Sequence, residues 1–132
     1  MPMLLPVTLC MAAAAAITAI WLMIRVGQVR NSQNVSIGDG GNDRVIRRMR
    51  AHANFVETTP FALALIAAIE LTGKGAEWLP FAAAIFILGR IAHAFGMEPT
   101  GFAKGRFIGT VVTLLTLLTL SIVAVLIVAG IY

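Results

Sequence analysis

One short stretch of this chain places four side chains with useful chemistry inside an otherwise apolar segment. Residues 50–57 read Arg-Ala-His-Ala-Asn-Phe-Val-Glu, and so combine a cation, an imidazole, an amide and a carboxylate. On a helix with 100° between successive residues, Arg50, Asn54 and Glu57 lie within about 60° of one another. An ionisable group in hydrocarbon costs roughly 3 kcal/mol or more. We therefore expect a chain that keeps several of them on one stripe to use them to hold a polar ligand.

Further charged groups lie within or at the ends of the other apolar segments. Arg90 and His93 are three residues apart and so share one face of a helix. Arginine binds carboxylates bidentately, and a glutamate can hold an ammonium group. The candidate ligand-binding set consists of Arg30, Arg50, Asn54, Glu57, Arg90, His93 and Arg106. This set suits a peptide-like molecule with two carboxylates and one ammonium, a charge pattern that glutathione has.

Each of these groups also has a plainer interpretation. Arg90 can neutralise Glu57 or Glu70 inside a helix bundle, and His93 can be an ordinary interior histidine. His52 lies on the opposite side of its helix from the stripe, which favours a hydrogen bond between helices. Because His52 and His93 lie in different segments with no cysteine partner, the sequence predicts no metal site.

Composition places these residues in a membrane protein. The chain has 132 residues, of which 59% are hydrophobic and 12% charged, and a mean hydropathy of +0.91. Crossing a hydrocarbon core of about 30 Å takes about 20 helical residues. Four segments are long enough, near residues 4–24, 49–71, 78–95 and 108–131. The predicted fold is an all-α, four-transmembrane-helix bundle forming one domain over residues 1–132.

The distribution of basic residues predicts the orientation. The connection at about 25–48 contains five arginines, and the one at about 96–107 contains Lys104 and Arg106, whereas the second connection has only Lys74. The positive-inside rule puts the first and third connections in the cytoplasm and both termini outside it. No Lys or Arg precedes Arg25, so the first segment is expected to be a retained span rather than a signal peptide. Short loops favour a bacterial inner membrane, with the endoplasmic reticulum as the alternative location. The net charge of +4 needs no nucleic acid to explain it.

The fourth segment contains two regular patterns of small residues. Gly101, Gly105 and Gly109 have a spacing that allows another backbone to approach closely, if the helix starts this early. Threonines recur at positions 110, 113, 116 and 119. At this spacing each threonine points in a slightly different direction from the one before, so the four do not line one face. This favours hydrogen bonds to backbone carbonyls of the same helix, or contacts between helices, over a polar channel.

Three motifs together resemble a known family. The run from Arg50 to Glu57 is followed by Pro60, the third segment contains Gly-Arg-Ile-Ala-His at 89–93, and the first ends in Gly-Gln-Val-Arg at 27–30. In this order, and with this span count, they resemble the MAPEG family, the membrane-associated proteins of eicosanoid and glutathione metabolism. The resemblance implies a homotrimer of four-helix protomers. It also implies glutathione bound between adjacent subunits near the cytoplasmic side, with a lipophilic small molecule and membrane lipids as further partners.

The resemblance also assigns roles. It implies glutathione contacts for Arg30, Asn54, Glu57, His93 and Arg106, with Arg50 and Arg90 supporting the site. A nearby arginine stabilises a thiolate, and lowering a thiol pKa from about 8.5 by two units takes roughly 2.7 kcal/mol. Arg106 is the predicted catalytic residue for this task. The expected activity is a glutathione transferase or peroxidase acting on lipophilic electrophiles, with conjugation and peroxide reduction both open.

Three positions depart from the family pattern and leave other functions open. Met97 stands where eicosanoid-forming members have a tyrosine, while Phe107 and Ala53 replace a serine and an arginine of the prostaglandin synthase. These differences disfavour prostaglandin synthesis. A non-enzymatic MAPEG-like protein that binds lipids or partners is the main alternative. A small proton-coupled exporter is a weaker one, because the first span has no acidic residue.

Overall fold

Four long helices make up most of the chain in a computed structural model that describes residues 4–132. They are α1 (Pro6–Ser32), α2 (Asp43–Leu71), α3 (Leu79–Gly96) and α4 (Ala103–Val128). Each is long and apolar enough to cross a membrane. The predicted architecture of four membrane-spanning helices is confirmed; residues 1–3 of the predicted domain lie outside the described part.

The helices extend beyond the apolar segments that predicted them. The expected loop at 25–48 is wrong at both edges, since α1 continues to Ser32 and α2 already begins at Asp43. The expected loop at 96–107 is likewise shortened, because α4 begins at Ala103. Hydropathy marks only the part of a helix that lies in lipid, and polar residues continue the same helix into the aqueous layer. Several arginines assigned to loops are therefore held on helices.

Local sequence accounts for where the helices begin. Pro6 occupies the first turn of α1, where its missing N–H costs nothing. The Asn42 side chain caps α2 by accepting hydrogen bonds from the backbone N–H groups of Arg44 at 3.0 Å and Val45 at 3.2 Å. The short connection before it turns at Gly38, Gly40 and Gly41, all with positive φ.

The start of α1 is capped from another helix. The Glu70 carboxylate, near the end of α2, accepts hydrogen bonds from the backbone N–H groups of Val7 and Thr8, both at 2.8 Å. It also accepts one from the Thr8 hydroxyl at 2.6 Å. A negative charge at a helix N-terminus satisfies its free N–H groups and complements the helix dipole. Glu70 thus joins the first two helices at one end of the bundle.

Helices α2 and α3 contact each other and both remaining helices, while α1 and α4 lie on opposite sides of this pair. The core contains fully buried side chains from all four helices. They include Leu22, Ile66, Ile69, Leu79, Phe86 and Leu120. We call the end where α1 and α3 finish and α2 and α4 begin the basic end, because most of the arginines lie there.

Glycines bring α3 and α4 into close backbone contact. A Cβ on Gly109 would collide with the backbone of Gly89 and His93, and one on Gly105 would collide with the carbonyl of Ala92. The expected close approach is confirmed for these two glycines, whereas Gly101 lies in the connection before α4. The threonine hydroxyls at 110, 113 and 116 donate to carbonyls four residues earlier, each at 2.8 Å, as one of the two interpretations predicted.

Candidate functional site

A buried arginine lies where three helices meet. Arg90 of α3 is 2% exposed. Its Nη1 donates to the Asn54 side-chain oxygen on α2, and its Nη2 donates to the Gly109 carbonyl on α4 at 2.9 Å. Among residues 4–132, its Nε has no hydrogen-bond partner. The sequence grouped Arg90 with Asn54, and the structure brings the two side chains together.

Arg90 bonds Asn54 and Gly109 rather than the glutamates that the plainer interpretation assigned to it. Glu70 is engaged with the first turn of α1, and within the described chain Glu57 forms no salt bridge. The idea that Arg90 neutralises Glu57 or Glu70 is therefore wrong. Because the Asn54 oxygen accepts from Arg90, its amide NH2 group points elsewhere and remains a donor for a ligand. The buried cation thereby orients a neutral donor.

His93 lies one turn beyond Arg90 on the same helix and is also buried, at 6% exposure. Its backbone and Cβ pack against Gly109. His93 is therefore held in the contact between α3 and α4, one turn from the buried Arg90.

Three charged residues of the predicted site face outward from the bundle. Arg50, Glu57 and Arg106 are exposed, and none of them forms an ion pair within residues 4–132. Glu57 lies midway along α2, about 21 Å from either end at a rise of 1.5 Å per residue. An ionisable group on a membrane-spanning helix is costly in lipid, and within residues 4–132 this carboxylate has no ion-pair partner.

Arg30 lies apart from these groups within one chain. Its Nη2 is 3.4 Å from the Met49 sulfur, and its side chain borders a cavity of about 490 Å³ beside the end of α1. The other residues around this cavity are Gly27, Asn31, Asn34, Val35 and Ser36. No polar contact joins Arg30 to Asn54, Glu57 or Arg106 among residues 4–132. A single chain thus brings together part of the predicted set and leaves the rest on its surface.

Sequence reasoning missed one acidic residue at the basic end. Glu98, in the connection between α3 and α4, forms salt bridges with Arg25 of α1 and, at 2.8 Å, with Arg48 of α2. The available signal was a single carboxylate in a short connection facing an arginine-rich one. Its partners are 73 and 50 residues away in sequence, so spacing could not identify them.

The positions that depart from the family pattern lie close to this region. Met97 follows the last residue of α3, and Phe107 is 72% exposed beside Arg106 at the start of α4. Phe102, 59% exposed, lies just before the same helix. Two exposed aromatic side chains therefore lie near Arg106 in sequence, at the start of α4.

Four apolar helices and a shared polar centre in α2, α3 and α4 define an integral membrane protein. The model of the MAPEG family matches residues 8–126, and the chain belongs to that family.

Two relatives of this chain are inner membrane proteins. The chain is 29% identical over 87 residues to the inner membrane protein YecN of Escherichia coli strain K12, a match covering 64% of this chain and 66% of YecN. The same figures hold for YecN of Escherichia coli O6:H1. The chain therefore spans just under two thirds of the length of these curated relatives. No solved structure matches it.

Proposed function

We propose that this protein is a glutathione-dependent transferase or peroxidase that acts on lipophilic electrophiles. The observation that carries the proposal is the exposed Glu57 carboxylate, halfway along a helix apolar enough to span a membrane and without an ion-pair partner within residues 4–132. Exposed cations occur on the same helix and at the start of α4. Opposite charges presented outward, rather than neutralising one another, suit a zwitterionic ligand.

The chemistry of the donors fits glutathione. Its two carboxylates suit Arg30 and Arg50, and its ammonium suits Glu57. The Asn54 amide, held by Arg90, offers a donor of fixed direction. When bound, glutathione would supply a thiol as the nucleophile.

Arg106 is the residue that we assign to the sulfur. A guanidinium beside a thiol favours the charged form and so raises the reactive fraction at neutral pH. The exposed rings of Phe102 and Phe107 offer an apolar surface next to Arg106 for a substrate that arrives from the bilayer. Holding both reactants at this place would supply much of the remaining rate enhancement.

We further propose a homotrimer in which the outward charges of one chain meet a neighbouring subunit. Arg30 is separated from Asn54, Glu57 and Arg106 within one chain, so a complete site requires a second copy or the ligand itself to bridge them. The location that we propose is a bacterial inner membrane, with the basic end in the cytoplasm and both termini on the other side. The Escherichia coli relatives are named as inner membrane proteins, which supports this location.

A non-enzymatic binding role is the second candidate. It is favoured by the Arg90 hydrogen bonds to Asn54 and Gly109, which use two of the polar groups to hold helices together. Under this hypothesis the exposed charges serve only to join subunits or to bind a lipid headgroup.

Ultraviolet absorbance of a bound thiolate separates the two roles. Purified protein in detergent is titrated with glutathione, and wild type is compared with Arg106→Ala. Lys104→Ala is the matched control, because Lys104 is an exposed cation two residues away. We expect thiolate absorbance in wild type and the control, and its loss in Arg106→Ala. No thiolate and no turnover of a generic electrophile in wild type would favour the binding role.

Oligomeric state is tested separately. Chemical cross-linking and mass measurement in detergent should give a species of three chains. A protein that remains monomeric while binding glutathione would contradict the proposed shared site.

A further inference from the structure

An ion cluster joins three elements at the basic end. We call Arg25, Arg48 and Glu98 the Glu98 cluster. One carboxylate oxygen of Glu98 accepts a hydrogen bond from Arg25 Nη2. The same oxygen accepts a hydrogen bond from Arg48 Nε at 2.8 Å. Arg48 also donates from Nη1 to the Arg25 carbonyl at 2.8 Å. The connection between α3 and α4 is therefore tied to α1 and α2 at once.

Packing around the cluster makes this tie specific. Arg25 is 8% exposed, and its guanidinium lies 4.8 Å from the ring centre of Trp21 and 5.3 Å from that of Phe95. The two rings contact each other with centres 5.4 Å apart. Phe95 belongs to the last turn of α3. Arg25 is therefore held both by the end of α3 and by Glu98 in the connection that follows. A cation enclosed in this way has little freedom to take another partner.

The same connection leads directly into Arg106. It spans residues 97–102, between the end of α3 and the start of α4. Just before the connection, Gly96, the last residue of α3, packs closely against the backbone of Arg106. A Cβ on Gly96 would collide with that backbone. Gly101 approaches the Phe95 carbonyl, and a Cβ on it would lie 2.9 Å from the Glu98 Cβ. A short connection held at these points transmits a shift of Glu98 to the first turn of α4.

We infer that Glu98 is a positioning residue for Arg106, acting through the Glu98 cluster and the 97–102 connection. The inference rests on the proposed function, since it concerns the arginine assigned there to the glutathione sulfur. Glu98 has no role in binding glutathione itself: its carboxylate is committed to Arg25 and Arg48. Its effect is to fix where the first turn of α4 places the Arg106 charge.

The expected size follows from how strongly catalysis depends on position. A displacement of about 1 Å can cost about 100-fold in rate. Loss of the Glu98 anchor should therefore lower kcat by roughly 10- to 100-fold. The KM for glutathione should change less than about threefold, because the groups assigned to the glutathione carboxylates and ammonium lie on other helices. It should also move the pH at which the bound thiol ionises upward.

Two variants test the inference with the full-length protein in detergent. Glu98→Gln removes the charge and keeps the shape, and Arg48→Gln removes one of the two ion pairs while leaving the one with Arg25. Asp43→Asn is the matched control, because it removes the 2.6 Å ion pair with Arg47 on the surface of the same end. Each protein is titrated with glutathione across pH, following thiolate absorbance, and kcat and KM are measured with a generic electrophile. Melting temperature checks that each is folded.

The result expected is a higher thiol ionisation pH and a lower kcat in both variants, larger in Glu98→Gln, with the control unchanged. If Glu98→Gln does not fold, Arg48→Gln alone decides the outcome. A variant that melts earlier but keeps the wild-type thiolate profile would refute positioning and leave Glu98 with a structural role. Failure of wild type to bind glutathione would instead refute the proposed function, and this role with it.

Discussion

Two glutamates on the same helix should respond in opposite ways to the same substitution. Glu57 is exposed and has no ion pair within residues 4–132, so Glu57→Gln removes no contact from the fold. Glu70, near the end of the helix, accepts three hydrogen bonds from the first turn of α1. The first substitution should affect ligand binding, and the second should affect stability.

The magnitudes follow from these contacts. A hydrogen bond to a charged group is worth about 1.5–3 kcal/mol. Removing the Glu57 charge that we propose holds the glutathione ammonium should therefore weaken binding by about 2 kcal/mol, or about 30-fold. In Glu70→Gln an amide NH2 replaces one acceptor oxygen at a helix N-terminus, and the negative charge is lost. Together these changes should cost about 2 kcal/mol of unfolding free energy, or roughly 8 °C in melting temperature.

The assay measures melting temperature in detergent with and without glutathione, for wild type and both variants. A ligand that binds only the folded state raises the melting temperature in proportion to its affinity. We expect Glu57→Gln to melt like wild type without ligand and to lose most of the ligand-dependent rise. Glu70→Gln should melt earlier but keep that rise. An undiminished rise in Glu57→Gln would refute its assignment to the site, and an unchanged melting temperature in Glu70→Gln would refute the capping argument.

Two further predictions concern the centre of the bundle. Asn54→Leu should cost about 3 kcal/mol of unfolding free energy, because it leaves the buried Arg90 guanidinium without one of its two acceptors. Adding Arg90→Met to Asn54→Leu should recover part of that loss. Melting curves of the two single variants and the double variant form a double-mutant cycle that measures the recovery. Additive losses would show that the two side chains are not coupled. Gly109→Ala should destabilise by about 2 kcal/mol or more, since its Cβ would collide with the α3 backbone. Gly27→Ala, where a Cβ meets nothing within 4 Å, should melt no earlier than wild type, and equal effects at both glycines would contradict the close packing of α3 on α4.

The number and order of the helices were predictable from the sequence. The thickness and apolarity of the hydrocarbon core set the length and composition of each span. Four long apolar runs therefore predict four helices without knowledge of how the helices pack. Local patterns were also informative, as with the threonines of α4, because their partners lie within four residues. The helix ends were predicted less well, since a helix continues through polar residues once it has left the lipid.

The site was only partly predictable, for a related reason. Helical spacing placed Arg90 and His93 on one face of α3, where both are buried, because residues three or four apart share a face whatever the fold. On α2 the same spacing placed Asn54 with Arg50 and Glu57, but Asn54 bonds Arg90 while the other two are exposed. The choice of partner between elements does not follow from spacing. Arg90 had two carboxylates as plausible partners and instead bonds an amide and a backbone carbonyl.

By itself the sequence determined a four-span membrane protein with charged residues at membrane depth, since composition and helical period act within single segments. Only the tertiary structure decided which of those charges are used inside the fold. Glu70 is used to cap α1 and Glu98 to join Arg25 with Arg48, whereas Glu57 is left facing outward. The physical reason is that ion pairs and caps between helices depend on helix packing, which brings together residues 50 or more positions apart.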